Sequence, residues 1–320
     1  MKLSIRLVTP AAARTRYGNR VTALRWARRL RELGHRVVIE MAYEGGKCDV
    51  LLALHARRSY PSVARYRELR PDGPLIVALT GTDLYGDIRH DAGAQASLEL
   101  ASRLVLLQPL GIEELPQHVR GKTRTIFQSA ERPKGKIVPA RDAFEVCVMG
   151  HLRDVKDPFR TALASRLLPP SSRLRVLHLG GALDEAMATV AREEMEANPR
   201  YRWLDEVPRA RALRTMARCR LLVLTSKLEG GANVVTEALA AGVPVLSTRI
   251  AGSLGILGTD YPGYFPVGDT EALAVLLERA ETDQGFYREL RERCRKLRAL
   301  VSPGRERRSW ASLLREIIAE

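Results

Sequence analysis

The chain has 320 residues, 45% apolar and 28% charged, a size and composition that suit two packed domains and exclude a disordered chain. Its formal charge is +15, yet only eight of 52 basic residues are lysine, the arginines are spread along the chain and aromatics are 5%. With no block of like charge and few rings for stacking bases, this argues against a nucleic-acid binder and for a solvated arginine surface, compatible with a basic cleft for anionic substrates.

Leu3 to Val8 reads as a first strand. A loop of small and basic residues follows, running from Thr9 through Arg14, Thr15, Arg16 and Tyr17 to Gly18, Asn19 and Arg20. Val21, Leu24, Trp26, Ala27 and Leu30 then mark an amphipathic helix that Gly34 ends, and Arg36 to Ile39 is the next strand. Asp49 to Leu54, Leu75 to Leu79, Leu104 to Leu107 and Thr123 to Phe127 continue the series. Polar residues follow strand after strand: His55-Ala56-Arg57-Arg58-Ser59, then Thr80-Gly81-Thr82-Asp83, then Gln108 and Gln128-Ser129. In an open parallel sheet such ends line one side. There is no Gly-x-Gly-x-x-Gly and no Walker loop, so nothing points to NAD or to a nucleotide triphosphatase.

Glu131 to Asp142 holds two prolines, a glycine and a mix of charges and reads as an interdomain linker. Phe144 to Met149 starts a second strand–helix series, with strands at Leu174 to Leu179, Tyr201 to Leu204 and Leu221 to Leu224, and helices over about 184–198 and 209–219. A helix is predicted to start near Pro158, with Asp157 as its cap. From Glu271 the pattern is helical to about Val301, with a break near Asp283 to Gly285, and a last amphipathic helix carries Trp310, Leu313, Leu314, Ile317 and Ile318. The four cysteines, Cys48, Cys147, Cys219 and Cys294, have no Cys-x-x-Cys or zinc spacing and read as reduced, buried thiols. No apolar run of eighteen residues and no signal peptide is recognised, so the expectation is a cytoplasmic protein without stable membrane insertion.

The stretch Ser226-Lys227-Leu228-Glu229-Gly230-Gly231-Ala232-Asn233-Val234-Val235-Thr236-Glu237, running to Gly242-Val243-Pro244, carries the most chemistry. With the apolar runs Leu221 to Leu224 before it and Val245 to Leu246 after it, the unit reads as strand, glycine loop, helix and strand. Gly230 and Gly231 let backbone approach a ligand, and helix N–H groups beside them suit an anion. Glu229 and Glu237 supply acceptors for hydroxyls. Amides for phosphate and carboxylates for hydroxyls together suit a sugar nucleotide.

With seven residues between its glutamates, and with Gly230, Asn233 and the tail Glu-Ala-Leu-Ala-Ala-Gly-Val-Pro, the stretch resembles the donor-site signature of GT-B glycosyltransferases of the retaining, family-four type. The resemblance implies an α/β fold of two Rossmann-like, doubly wound parallel-sheet domains facing a central cleft. It implies that Glu237 holds the ribose hydroxyls, that Glu229 contacts the donor sugar, and that amides of Gly231, Ala232, Asn233 and Val234 hold the diphosphate. In Gly150-His151-Leu152-Arg153-Asp154-Val155-Lys156, Lys156 matches the family's diphosphate lysine, whereas His151 stands in its arginine slot and Arg153 lies two residues further on. Fixed cations there stabilise charge on a departing nucleotide diphosphate. Trp203 and Leu204 fall where the family contacts the nucleobase, and Gly18 and Asn19 where it uses a glycine-rich loop near the diphosphate. The absence of Asp-x-Asp argues against a metal-dependent GT-A design, so neither metal nor cofactor is expected and the sugar nucleotide is a co-substrate.

Arg20, His55, Arg57, Arg58 and Thr82, with Asp83, propose a pocket of three or four cations and one carboxylate for a small, highly charged acceptor. Together with Val21 to Ala27, the segments 53–59, 78–85 and 150–153 are similar to those of the selenosugar synthases of selenoneine biosynthesis. That resemblance implies transfer of the sugar of UDP-glucose or UDP-N-acetylglucosamine to selenophosphate, with UDP released. Asp83, Arg153, Lys156 and Glu229 are the candidate catalytic residues, Asp83 steering the acceptor or stabilising charge at the anomeric carbon. The same-fold alternative is a lipid or saccharide acceptor at a membrane surface; a remote one is a basic nucleic-acid binder. Predicted boundaries are 1–142, linker 131–142 included, 143–302, and 303–320 for a terminal helix that by the resemblance returns to the first domain.

Overall fold

Short runs of Leu, Ile and Val, each too brief for a helix and bounded by polar or glycine residues, form two parallel sheets. The computed structural model describes residues 1–13, 18–135 and 137–319. Arg14, Thr15, Arg16 and Tyr17 of the predicted basic loop, Lys136 of the predicted linker and Glu320 lie outside the described residues. The chain divides into one unit of residues 1–129 and 302–320 and another of residues 130–301.

In the first unit the strands are β1 (Ser4–Val8), β2 (Arg36–Glu40), β3 (Val50–Leu54), β4 (Leu75–Leu79), β5 (Arg103–Leu106) and β6 (Thr123–Thr125). They pair in the order β2-β1-β3-β4-β5-β6, all parallel. Every residue of β3 and β4 is buried, because helices cover both faces. Leu54 pairs with Ala78 and Leu79 with Leu106, so the residues that follow emerge along one edge. Strand order reverses between β1 and β3, the place where such sheets bind ligands. The helix Gly18–Glu32 leads away from β1, and His55 follows β3.

The terminal helix Pro303–Ala319 belongs to this unit. Its apolar stripe, Trp310, Leu313, Leu314 and Ile317, is buried in the core that Trp26 and Leu30 also fill, and Trp26 and Trp310 meet edge to face with centroids 4.9 Å apart. Glu306 is buried between Arg25 Nε at 3.4 Å and Arg29 Nε at 3.7 Å and accepts from Trp26 Nε1 at 3.0 Å.

The second unit contains β7 (Phe144–Met149), β8 (Leu174–Leu179), β9 (Tyr201–Trp203), β10 (Leu221–Leu224), β11 (Val245–Thr248) and β12 (Tyr264–Phe265). Their order, β12-β11-β10-β7-β8-β9, reverses between β7 and β10. The loop that leaves β7 and the glycine loop that leaves β10 therefore share one switch point. Residues 131–135 and 137–142, the rest of the linker predicted as part of the first domain, are grouped with this unit. All four cysteines are free and buried, and among the described residues no helix is long and apolar enough to cross a membrane.

Candidate functional site

The second unit's site is built by stitching the β7 loop to the β10 loop. Thr225 Oγ1 donates to the carbonyls of Lys156 (2.8 Å) and Asp157 (2.9 Å). Lys227 N–H donates to Val155 O at 2.9 Å, and Lys227 Nζ reaches both oxygens of Asp154 at 2.9 Å. This clamp brings Lys156 onto Glu229: the ammonium donates to Oε1, and Ser226 Oγ donates to the same oxygen at 2.8 Å. The helix Ala251–Leu257 supports Glu229 from behind. A Cβ on Gly252 would stand 2.1 Å from Glu229 O, so only glycine permits that approach.

Gly230, Gly231 and Ala232 are buried and lead into the helix Asn233–Ala241, whose N-cap residue Ala232 makes no side-chain cap hydrogen bond. Val234 lies in the first turn and Gly242, at φ +80°, ends the helix. Glu237 is 3% exposed. Its Oε1 accepts from Arg209 Nη2, and its Oε2 is buried with no hydrogen-bond partner.

On the other side of β7 the backbones of Gly150 and Gly180 meet so closely that a Cβ on Gly180 would lie 2.0 Å from Gly150 O. His178 holds this junction, with Nε2 3.2 Å from Gly150 O and Nδ1 2.9 Å from Tyr201 Oη. A carbonyl only accepts, so Nε2 carries the proton and Nδ1 accepts from the phenol. Burial pushes His178 down to about 4. Trp203 is half-buried and its Nε1 donates to Gly180 O at 2.8 Å, while Leu204 N–H donates to His178 O. The indole is thus anchored at the rim of the sheet beside the exposed Asp205 and Glu206. His151 is half-buried beside the Gly150 junction, and Arg153 is exposed.

Asp157 differs from the sequence expectation. It is not a helix cap: it adopts φ +44° at the end of the turn Asp154–Lys156, and its carboxylate binds Arg160 Nε at 2.8 Å. The helix begins at Arg160, because the left-handed residue redirects the chain before Pro158.

In the first unit His55, Arg57, Arg58, Thr82 and Asp83 do come together. His55 is buried at φ +75°; its Nδ1 accepts from Arg58 N–H at 3.3 Å and its Nε2 lies 3.4 Å from Thr82 Oγ1. Two expectations are corrected. Asp83 is fully buried and its carboxylate is engaged by backbone: its oxygens accept from the N–H groups of Ala56 (3.0 Å), Thr80 (3.1 Å) and Gly81 (2.7 Å). It ties the end of β3 to the end of β4. The cluster also has more negative charge than one carboxylate. Arg57 Nη1 meets Asp87 at 3.2 Å and its Nε meets Asp91 at 3.2 Å, with Asp87 also 3.8 Å from His55 Nε2. Arg58 and Thr82 remain exposed. Gly18, Asn19 and Arg20 form the first turn of the helix Gly18–Glu32 rather than the end of a loop, since first-turn N–H groups need no intrahelical partner and tolerate glycine there.

Arg209, Gly252, Ser226, Asp87 and Asp91 were not singled out from sequence. Small residues Ala251-Gly252-Ser253 after a strand hinted at a close approach, and Asp83, Asp87 and Asp91 recur every four residues. Nothing local marks Arg209.

The whole chain is similar in fold to several solved structures. Anabaena HepE, solved with UDP and glucose, superposes with a TM-score of 0.76 at 14% identity, covering 98% of this chain and 100% of that one. Sucrose-phosphate synthase from Thermosynechococcus elongatus gives 0.78 at 15% identity over 99% and 100% of the two chains. A glycosyltransferase from Rickettsia africae gives 0.77 at 13% identity, with 99% of each covered. Two doubly wound parallel sheets with these neighbours constitute a two-domain Rossmann-like GT-B fold. No curated protein sequence matches the chain. The model of the family "Glycosyl transferases group 1" matches residues 130–297, just over half of the chain and all of the glycine-loop region, and the chain therefore belongs to the glycosyl transferases group 1 family.

Proposed function

We propose that the protein transfers the sugar of UDP-glucose or UDP-N-acetylglucosamine to selenophosphate, forming a C–Se bond at the anomeric carbon and releasing UDP. The observation that carries the donor half is Glu237, a buried carboxylate with one oxygen on Arg209 and the other without a partner. An unsatisfied buried acceptor costs about 1–3 kcal/mol, and a ribose hydroxyl supplies the missing donor. Glu229 offers an acceptor for the sugar, and Lys156, Arg153 and the N-terminal end of the helix Asn233–Ala241 offer positive charge for the diphosphate. HepE, of similar fold, is solved with UDP-glucose as well as with UDP and glucose.

The acceptor half rests on the resemblance of segments 53–59, 78–85 and 150–153 and on the charge chemistry of Arg20, Arg57, Arg58 and His55, the last with its Nε2 3.4 Å from the hydroxyl of Thr82. Selenium of the anion attacks C1; the C1–O bond to the β-phosphate breaks, that oxygen takes the electron pair as UDP leaves, and water then cleaves the Se–P bond, giving the selenosugar and inorganic phosphate. Selenium is already a strong nucleophile, so positioning and leaving-group stabilisation carry the rate, without a general base, a cofactor or a metal.

The test is UDP release from each sugar nucleotide, with and without selenophosphate, in a chelator. Selenophosphate-dependent release together with a selenosugar mass supports the reading. Binding of UDP-sugar with turnover only on a lipid or saccharide acceptor keeps the donor and removes selenophosphate.

A further inference from the structure

The donor reading leaves one contact unexplained. Arg209 opens the helix Arg209–Arg218, immediately after Pro208. That helix has no acidic residue in its first turn, so a cation there meets the positive end of the helix dipole and gains nothing from its own helix. Its partner lies 28 residues away, on a different helix: the guanidinium reaches Glu237 Oε1. Arg209 is 46% exposed at its side chain and Glu237 is 3% exposed. An arginine thus extends inward from the surface to give a buried carboxylate the charge partner it needs. A carboxylate's terminal torsion is otherwise broad. Fixing Oε1 leaves Oε2 in one orientation, and Oε2 is the oxygen with no partner.

We infer that Arg209 is a positioning residue that sets ribose discrimination, by pinning Glu237 Oε1 so that Oε2 is presented to the nucleotide's hydroxyls. This rests on the reading of Glu237 as the ribose ligand. The placement has a second consequence. The segment 203–208, which carries Trp203 with its indole on Gly180 O, runs directly into Arg209. Arg209 therefore stands in the chain between the Trp203 rim and its contact with the Glu237 carboxylate.

The experiment is calorimetric titration of UDP and 2′,3′-dideoxy-UDP into the wild-type chain, Arg209→Ala, Arg209→Lys, Glu237→Gln and the double variant Arg209→Ala with Glu237→Gln. Wild type is expected to prefer UDP by about tenfold or more, the size of one charge-assisted hydrogen bond. Arg209→Ala removes most of that preference, Arg209→Lys restores part of it, and the double variant discriminates no worse than Glu237→Gln alone. Thermal unfolding checks each variant, and Arg209→Gln replaces Arg209→Ala if the latter fails to fold. Preservation of the UDP preference in Arg209→Ala, with both nucleotides weakened by the same factor or neither weakened, overturns the inference and leaves the donor reading standing. A wild-type chain that binds both nucleotides alike, or neither, overturns the ribose reading of Glu237 and this inference with it.

Discussion

Lys156 Nζ and Glu229 Oε1 are bonded to each other across 73 residues of sequence, joining the loop after β7 to the loop after β10. The cation proposed for the diphosphate and the carboxylate proposed for the sugar neutralise one another. A donor that engages both must separate them, exchanging one ion pair for two new contacts. Lys156→Ala should therefore weaken UDP binding tenfold or more, since a charged hydrogen bond is worth about 1.5–3 kcal/mol. Glu229→Ala should leave UDP affinity equal or tighter, because Lys156 is released, while turnover of the UDP-sugar falls. Titration with UDP separates the two; equal losses in both variants would mean that Glu229 does not face the sugar.

Gly252 is expected to tolerate no side chain. A methyl group would overlap Glu229 O, which a Cβ would approach to 2.1 Å. Gly252→Ala should destabilise by about 1–3 kcal/mol through overpacking, despite the better helix propensity of alanine, and should displace Glu229. A melting curve plus UDP-sugar kinetics checks this. An unchanged melting temperature with normal kinetics would show that the helix Ala251–Leu257 yields freely.

Asp83 binds three backbone N–H groups and no side chain of the cation cluster. Asp83→Asn replaces one accepting oxygen by a donor, facing an N–H group with an N–H group. A loss of about 1–3 kcal/mol is expected, with UDP affinity in the other unit retained. If Asp83→Asn instead kept its melting temperature and lost only turnover, Asp83 would act on the acceptor after all.

His178 predicts an acid-sensitive step in stability. Burial, partly opposed by the bond to Gly150 O, lowers it to about 4, whereas an ordinary imidazole titrates near 6.5. Between these values the unfolded chain binds the extra proton, so stability falls as pH drops from 6.5 towards 4, by roughly 3 kcal/mol in all. His178→Gln, which has no titrating group, should flatten that part of the curve. Melting temperatures of both proteins from pH 7 to pH 4 test it, and parallel curves would assign the loss to other groups.

Much of the architecture could be read locally. Leu221 to Leu224 is too short and too apolar for a surface helix, and Gly242-Val243-Pro244 stops the helix before it where Gly242 takes a positive φ. Trp310, Leu313, Leu314 and Ile317 repeat at helical spacing, and all are buried. The same short-range logic located the glycine loop, its two glutamates and the polar strand ends. It missed the helices Tyr60–Leu69, Ala92–Leu100 and Ala251–Leu257, whose apolar faces are narrow or made of small residues.

What the sequence determined by itself, then, was element type and the place of the glycine loop between strand and helix, because burial of one face imposes a period on neighbouring residues. Partnership was decided only in three dimensions. Asp83 looks available beside Thr82 until the register of β3 and β4 brings the Ala56 N–H group onto it. Arg57 looks like a free cation until Asp87 and Asp91 close on it. Glu237 acquires Arg209, and Glu229 acquires Lys156 and Gly252, through a strand order that reverses between β7 and β10. Strand order is set by how whole helices cover a sheet, a long-range packing outcome that no window of neighbouring residues encodes.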